Sequence, residues 1–85
     1  MTSIVLSQRA SARLFENADQ TLLNDLRVLQ LRLSAFPQSY PAGSSGFRAV
    51  TLPSLRFKVW YEYDETEDRV EIVEITPAWQ VAPLL

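Results

Sequence analysis

The chain has 85 residues, 47% of them apolar, with two Gly, no Cys, no His and a net charge of −2. That length makes one small domain with little stability to spare. Lacking Cys and His, the chain holds no disulfide, no His- or Cys-built zinc site, and neither Ser-His-Asp nor Cys-His catalysis. The absence of Cys also fits a reducing compartment.

The charge is unevenly spread. Residues 1–58 carry seven cations (Arg9, Arg13, Arg27, Arg32, Arg48, Arg56 and Lys58) against three acids, a net of +4. Residues 59–85 carry Arg69 against seven acids (Glu62, Asp64, Glu65, Glu67, Asp68, Glu71 and Glu74), a net of −6. An acidic total disfavours broad nucleic-acid binding, which runs on phosphate neutralisation by Lys and Arg. The N-terminal stretch lacks a signal peptide's basic start and long apolar run. No segment reaches the ~18 apolar residues of a membrane span. The expectation is a soluble, cytoplasmic protein with no membrane partner.

Ile4-Val5-Leu6 is a short apolar, partly β-branched run that predicts a brief strand. Ser7 is placed to cap a helix over about 8–17, with Ala10, Leu14 and Phe15 as its apolar contacts. Asn17-Ala18-Asp19 reads as a tight break, with Asp19 capping the next helix. In that second helix Leu22, Leu26, Leu29, Leu33 and Phe36 recur at spacings of 4, 3, 4 and 3, one continuous stripe. Pro37 ends it. Val28, Leu31 and Ala35 form a second stripe roughly opposite, at ~100° per residue. A helix apolar on two sides packs one on the sheet and the other on the first helix, a second subunit or a partner.

A polar connector over 38–46 holds both glycines. Three strands are predicted after it, at 47–52, 55–64 and 69–76. The middle one alternates most clearly, Leu55, Phe57, Val59, Tyr61 and Tyr63 against Arg56, Lys58, Trp60, Glu62 and Asp64. In the last, the apolar phase changes from Val70 and Ile72 to Val73 and Ile75, which requires either burial on both faces or a bulge near Ile72. The order β-α-α-β-β-β makes an α+β domain with a helical hairpin packed on a small, largely antiparallel sheet. One domain over 1–85 is expected, its core at about 3–76 and an irregular apolar tail at 77–85.

Here order, length and one local pattern coincide. The chain resembles the RelE/ParE superfamily of bacterial toxins from type II toxin–antitoxin modules. Members open with a short strand like Ile4-Val5-Leu6-Ser7 and a helical hairpin. They then carry an aromatic-or-Gly plus basic strand, matched by Gly46-Phe47-Arg48-Ala49-Val50. The next strand runs aromatic-Arg-hydrophobic-hydrophobic-Tyr-Glu-hydrophobic-Asp, matched by Phe57-Lys58-Val59-Trp60-Tyr61-Glu62-Tyr63-Asp64. The resemblance spans about residues 4–75.

It implies a toxin neutralised by a small antitoxin, acting on gyrase or on translation. In the ribosome-dependent mRNA-cleaving members a basic residue on the first of these strands helps hold the scissile phosphate, and Arg48 matches it. A second basic residue two positions on is Val50 here. The central Arg of the next strand falls on Lys58, with Arg56 two residues away as a stand-in, and Lys lacks the planar fork that grips two phosphate oxygens. The family's last strand usually runs into a basic segment, and here that stretch is Glu74-Ile75-Thr76-Pro77-Ala78-Trp79. Metal-free phosphodiester cleavage needs a base, an acid and charge stabilisation. Arg48, Arg56 and Lys58 offer only the last. The ParE branch, associated with gyrase inhibition, acts without the RNase set, so elimination tilts toward it. A non-toxic interaction or dimerisation module on the same fold and a ribosome-dependent endoribonuclease are the alternatives.

Each feature also has a plainer reading. Arg48, Arg56 and Lys58 make a phosphate patch on one sheet face, or else pair with Glu62, Glu71 or Glu74 across the strands. Trp60 stacks on a base or a partner, or else packs locally. Trp79, Val81, Leu84 and Leu85 fold back over the sheet, or else present an apolar patch for an antitoxin or second subunit. In this family the antitoxin wraps the toxin with a helix and an extended segment. The candidate partner-binding residues are therefore Val28, Leu31, Ala35, Trp60, Trp79, Leu84 and Leu85. Glu65-Thr66-Glu67-Asp68 reads as a solvated turn rather than a cation site. The pair Asp64/Glu67 has nothing nearby to desolvate it for acid–base work. No metal and no cofactor are expected.

Overall fold

The computed structural model describes residues 2–17, 19–43, 46–54 and 56–80. In chain order these form β1 (Ser3–Leu6), α1 (Gln8–Glu16), α2 (Gln20–Ala35), β2 (Arg48–Thr51), β3 (Phe57–Asp64) and β4 (Arg69–Pro77). The sheet order is β1-β4-β3-β2. β1 runs parallel to β4, and the β4–β3 and β3–β2 pairs are antiparallel. This is the expected α+β order with a helical hairpin on a largely antiparallel sheet.

The helix starts follow from their capping side chains. Ser7 Oγ accepts the Ala10 N–H at 3.0 Å and donates to the Val73 carbonyl at 2.8 Å, so one hydroxyl both caps α1 and ties it to β4. Asp19 Oδ1 accepts the Leu22 N–H at 2.8 Å at the start of α2. Between the helices, Asn17 closes α1 with two bonds to the Arg13 carbonyl, one from its backbone and one from its side-chain amide. α1 lies along β4, with Ala10 fully buried and Leu14 half-buried against the core. Phe15, expected among its contacts, is 87% exposed.

On α2, Leu22, Leu26, Leu29 and Leu33 are buried as their spacing requires. Phe36 is not. The helix ends at Ala35, and Phe36 sits at φ −135° and ψ 72°, outside the helical region, because the Pro37 ring crowds it. Its side chain leaves the stripe and is 65% exposed. Nor is the second stripe covered by the described residues: Val28 and Leu31 are 59% and 67% exposed and Ala35 is also at the surface.

The core joins those leucines to Leu52, Val59, Tyr61, Val70, Ile72 and Ile75, with Phe57 and Tyr63 at its margin. Of the alternating apolar set, Phe57, Val59, Tyr61 and Tyr63 thus face the helices, and Leu55 lies outside the described residues. In β4 both expected solutions occur together. Trp60 lies opposite Glu74 and Tyr61 opposite Ile72, which leaves Val73 as an extra, bulged residue. The whole run Ile72–Thr76 is also buried. At the acidic hairpin tip, Asp64 Oδ1 accepts the Thr66 and Glu67 N–H groups. Asp68 takes a φ of +50°, a left-handed conformation that Asp tolerates better than most residues.

Candidate functional site

Residues paired across adjacent strands point to the same face, and this separates the three cations proposed as a phosphate patch. Arg48 is opposite Tyr61, whose ring is in the core, so Arg48 lies on the helix side. Its Nη1 donates to the Tyr40 carbonyl at 2.7 Å and anchors the long connector. Arg56 precedes β3, lies over the Phe57 ring at 5.6 Å, and its Nη2 donates to Asp19 Oδ2 at 2.8 Å. Lys58 alone points to the face away from the helices, 5.1 Å from the Trp60 ring centre, with its Nζ donating to the Gln80 carbonyl at 3.2 Å. The shared patch is therefore corrected. The plainer reading is corrected too, because none of the three pairs with Glu62, Glu71 or Glu74.

That far face is acidic instead. Glu62 stands directly opposite Glu71, and Asp64 opposite Arg69. Like charges placed opposite each other destabilise a sheet and repel an anionic ligand. Among the described residues no cluster of carboxylates is arranged to hold a metal ion.

Trp60 is also corrected as a contact residue. It is only 3% exposed, and its indole Nε1 donates to Thr76 Oγ1 at 2.8 Å. Trp79, inside the turn that the Gln80 N–H closes on the Pro77 carbonyl, is 80% exposed. Leu84 and Leu85 lie outside the described residues.

What the structure does bring together is on α2. Val28, Leu31 and Ala35 form one exposed strip, and Phe36 is exposed just past the helix end. Two hollows border the strip. One, of about 170 Å³ between α2 and β2, is lined mainly by Val28, Leu29, Tyr40, Val50 and Leu52. The other, of about 510 Å³, lies beyond the helix end among Ala35, Phe36, Pro37 and Tyr63. Arg32 lines both and rests over the Tyr40 ring at 5.6 Å.

Glu74, expected as a cross-strand partner of the β2 and β3 cations, is instead buried against α1. It is 1% exposed, with Oε1 accepting the Ile75 N–H at 2.9 Å, Arg13 Nε 3.5 Å from Oε1 and Arg9 Nη1 3.7 Å from Oε2. The available signal was a lone carboxylate inside a strand buried on both faces, together with two arginines one helical turn apart on α1.

This helical hairpin on a sheet with one parallel edge strand and an antiparallel remainder is the RelE-like toxin fold. Solved structures with the same fold include the isolated RelE toxin of E. coli, with a TM-score of 0.76 at 13% identity over 94% of this chain and 87% of that one. The E. coli RelBE toxin–antitoxin complex gives 0.76 at 13%, over 94% and 100%. The archaeal RelE–RelB complex of Pyrococcus horikoshii gives 0.65 at 9%, over 94% and 98%. No family model and no curated protein matches the sequence. Among the described residues no helix is long and apolar enough to cross a membrane.

Proposed function

We propose that this chain is the toxin-fold member of a toxin–antitoxin pair, covered by a small antitoxin along α2, and that it acts by binding a target rather than by cutting RNA. The observation that carries the reading is the strip Val28–Leu31–Ala35, left exposed on a small domain that buries the four leucines on the opposite side of α2. Apolar residues in that continuous arrangement suit a helix-in-groove partner. Two of the solved structures that share the fold are toxin–antitoxin complexes.

The cations argue against the endoribonuclease alternative. Arg48 and Arg56 hold the connector and the start of α2 by direct bonds, and of the three only Lys58 lies on the acidic far face. Phosphoryl transfer needs convergent positive charge together with an acid and a base. That leaves inhibition of gyrase, the activity associated with the family branch that lacks the RNase set, as the first target to assay.

The test is inducible expression in a bacterial host, with the adjacent open reading frame absent or co-expressed, followed by gyrase supercoiling and translation assays. Growth arrest relieved by the neighbour, with supercoiling inhibited and mRNA left intact, is the expected result. Ribosome-dependent mRNA cleavage abolished by Lys58→Ala would restore the nuclease reading. Unimpeded growth with abundant folded protein would remove toxicity and leave the interaction module.

A further inference from the structure

The strip on α2 carries a charge signature that specifies what covers it. At ~100° per residue, Leu31, Ala35 and Val28 span roughly 60° of the helix surface. Arg27 lies about 40° beyond Leu31 on one flank, and Arg32 about 40° beyond Val28 on the other. Both arginines are exposed, and neither forms an ion pair among the described residues. The other arginines of the helical layer and of the start of β3 behave differently: Arg9, Arg13 and Arg56 each face a carboxylate. The body of α2 holds one acid, Asp25, and it is half-buried, accepting the Ser54 N–H at 3.1 Å.

We infer that the α2 strip, bracketed by Arg27 and Arg32, is a docking surface for an amphipathic helix whose apolar face is flanked by carboxylates. The inference rests on the reading above that a second protein covers α2, and adds the partner's chemistry. An apolar side chain of that helix fills the hollow of about 170 Å³ between α2 and β2, beside Val28 and Tyr40. Its acidic flanks meet the two guanidiniums, which can each grip a carboxylate through two N–H groups.

The same geometry disfavours a second copy of this chain. A two-fold axis makes the interface self-complementary. An antiparallel pairing of two α2 helices sets each flank against the same flank of the other copy, and a parallel pairing sets it against the opposite one. Both flanks carry Arg, so either arrangement opposes cations without a carboxylate between them. Charge complementarity selects partners chiefly by penalising such meetings.

The inference is tested with the full chain and two synthetic helical peptides. They share one Leu/Ala stripe, flanked by Glu in one and by Lys in the other, and binding is followed by amide chemical shifts in low salt. The Glu peptide should bind at least about tenfold more tightly than the Lys peptide, since each exposed contact turns from attraction to repulsion. Shifts should centre on Arg27–Ala35. Arg27→Glu/Arg32→Glu should reverse the preference, and Leu31→Asp should abolish binding of both peptides; all three positions are exposed, and amide spectra check that the fold is kept. Equal affinities, no binding, or shifts centred elsewhere would overturn the inference, as would sedimentation of the free chain as a dimer that Leu31→Asp dissolves. Co-expression separates this from the wider reading: neutralisation that survives Arg27→Glu/Arg32→Glu keeps the antitoxin and removes it from this surface. An absence of any neutralising partner removes the wider reading itself.

Discussion

Asp19 and Arg56 are 37 positions apart in sequence and 2.8 Å apart in space, where the guanidinium closes on the same carboxylate that caps α2. One oxygen takes the Leu22 N–H and the other takes Arg56 Nη2. The bond to Leu22 lowers the carboxyl pKa most, and the Arg56 hydrogen bond adds to it. Asp68 is lowered in the same direction, first by the Thr2 hydroxyl and then by Tyr63.

A carboxyl whose folded pKa lies below its unfolded value of ~3.9 stabilises the fold above that pH, and the contribution fades as pH falls through the folded value. Thermal melts between about pH 2 and 6 should therefore show an acid limb to which Asp19 and Asp68 both contribute. Asp19→Asn keeps a competent cap and removes only the charge. It should flatten that limb more than Arg56→Ala does, since the larger cause, the cap bond, remains with Arg56 gone. An acid limb unchanged in Asp19→Asn would refute the assignment.

Glu74 separates two ways of disturbing one buried charge. Removing Arg9 and Arg13 leaves the carboxylate inside with no cation beside it, whereas Glu74→Gln removes the charge and keeps an oxygen for the Ile75 N–H. Breaking a fully buried pair from one side costs several kcal/mol. Both arginine side chains are nearly half-exposed, so water recovers part of that. Arg9→Ala/Arg13→Ala should cost about 1–3 kcal/mol in urea unfolding, and Glu74→Gln less. The reverse order would mean that the arginines do not compensate Glu74.

Helix α2 provides a contrast between its two faces. Leu33 is fully buried, and Leu33→Ala should cost about 2–5 kcal/mol, a large share of what a domain of this size has. Leu31→Ala, two positions away on the exposed strip, should stay within about 0.5 kcal/mol in the free protein. Urea midpoints at constant slope decide it. A large loss from Leu31→Ala would mean that the strip is covered in the isolated chain.

The order of elements, both caps, the four buried leucines and the bulge in β4 were legible because each depends on local spacing or on a single hydrogen bond within a few residues. Where side chains end up across the sheet was not. A patch that puts Arg48 on one face with Arg56 and Lys58 requires a particular β2–β3 register, but register is set by which residue meets Tyr61, and a shift of one residue turns the strand over. Phe36 fitted the stripe by spacing and left it because the next residue, Pro37, alters the backbone before it, an effect the sequence states but periodicity does not count. Trp60 fell on the polar face of an alternating strand and is buried there nonetheless. Glu74 stood among apolar neighbours with its two arginines on another element, beyond any local pattern.

The two tryptophans give a direct optical check. Trp60 is enclosed and hydrogen-bonded to Thr76, while Trp79 is 80% exposed. An indole shielded from water emits to the blue of an exposed one and resists aqueous quenchers. Trp79→Phe should shift the native emission to the blue and leave a signal that acrylamide quenches poorly. Trp60→Phe should leave a red, readily quenched emission and cost about 1–3 kcal/mol, from lost ring contacts and from leaving the buried Thr76 hydroxyl without its donor. Thr76→Val tests the hydrogen bond separately, because it strands the indole N–H while keeping the shape, and should lower stability by about 1–3 kcal/mol with little change in quenching. Equal quenching of the two single-Trp variants would put Trp60 at the surface and reopen the far sheet face as a contact site.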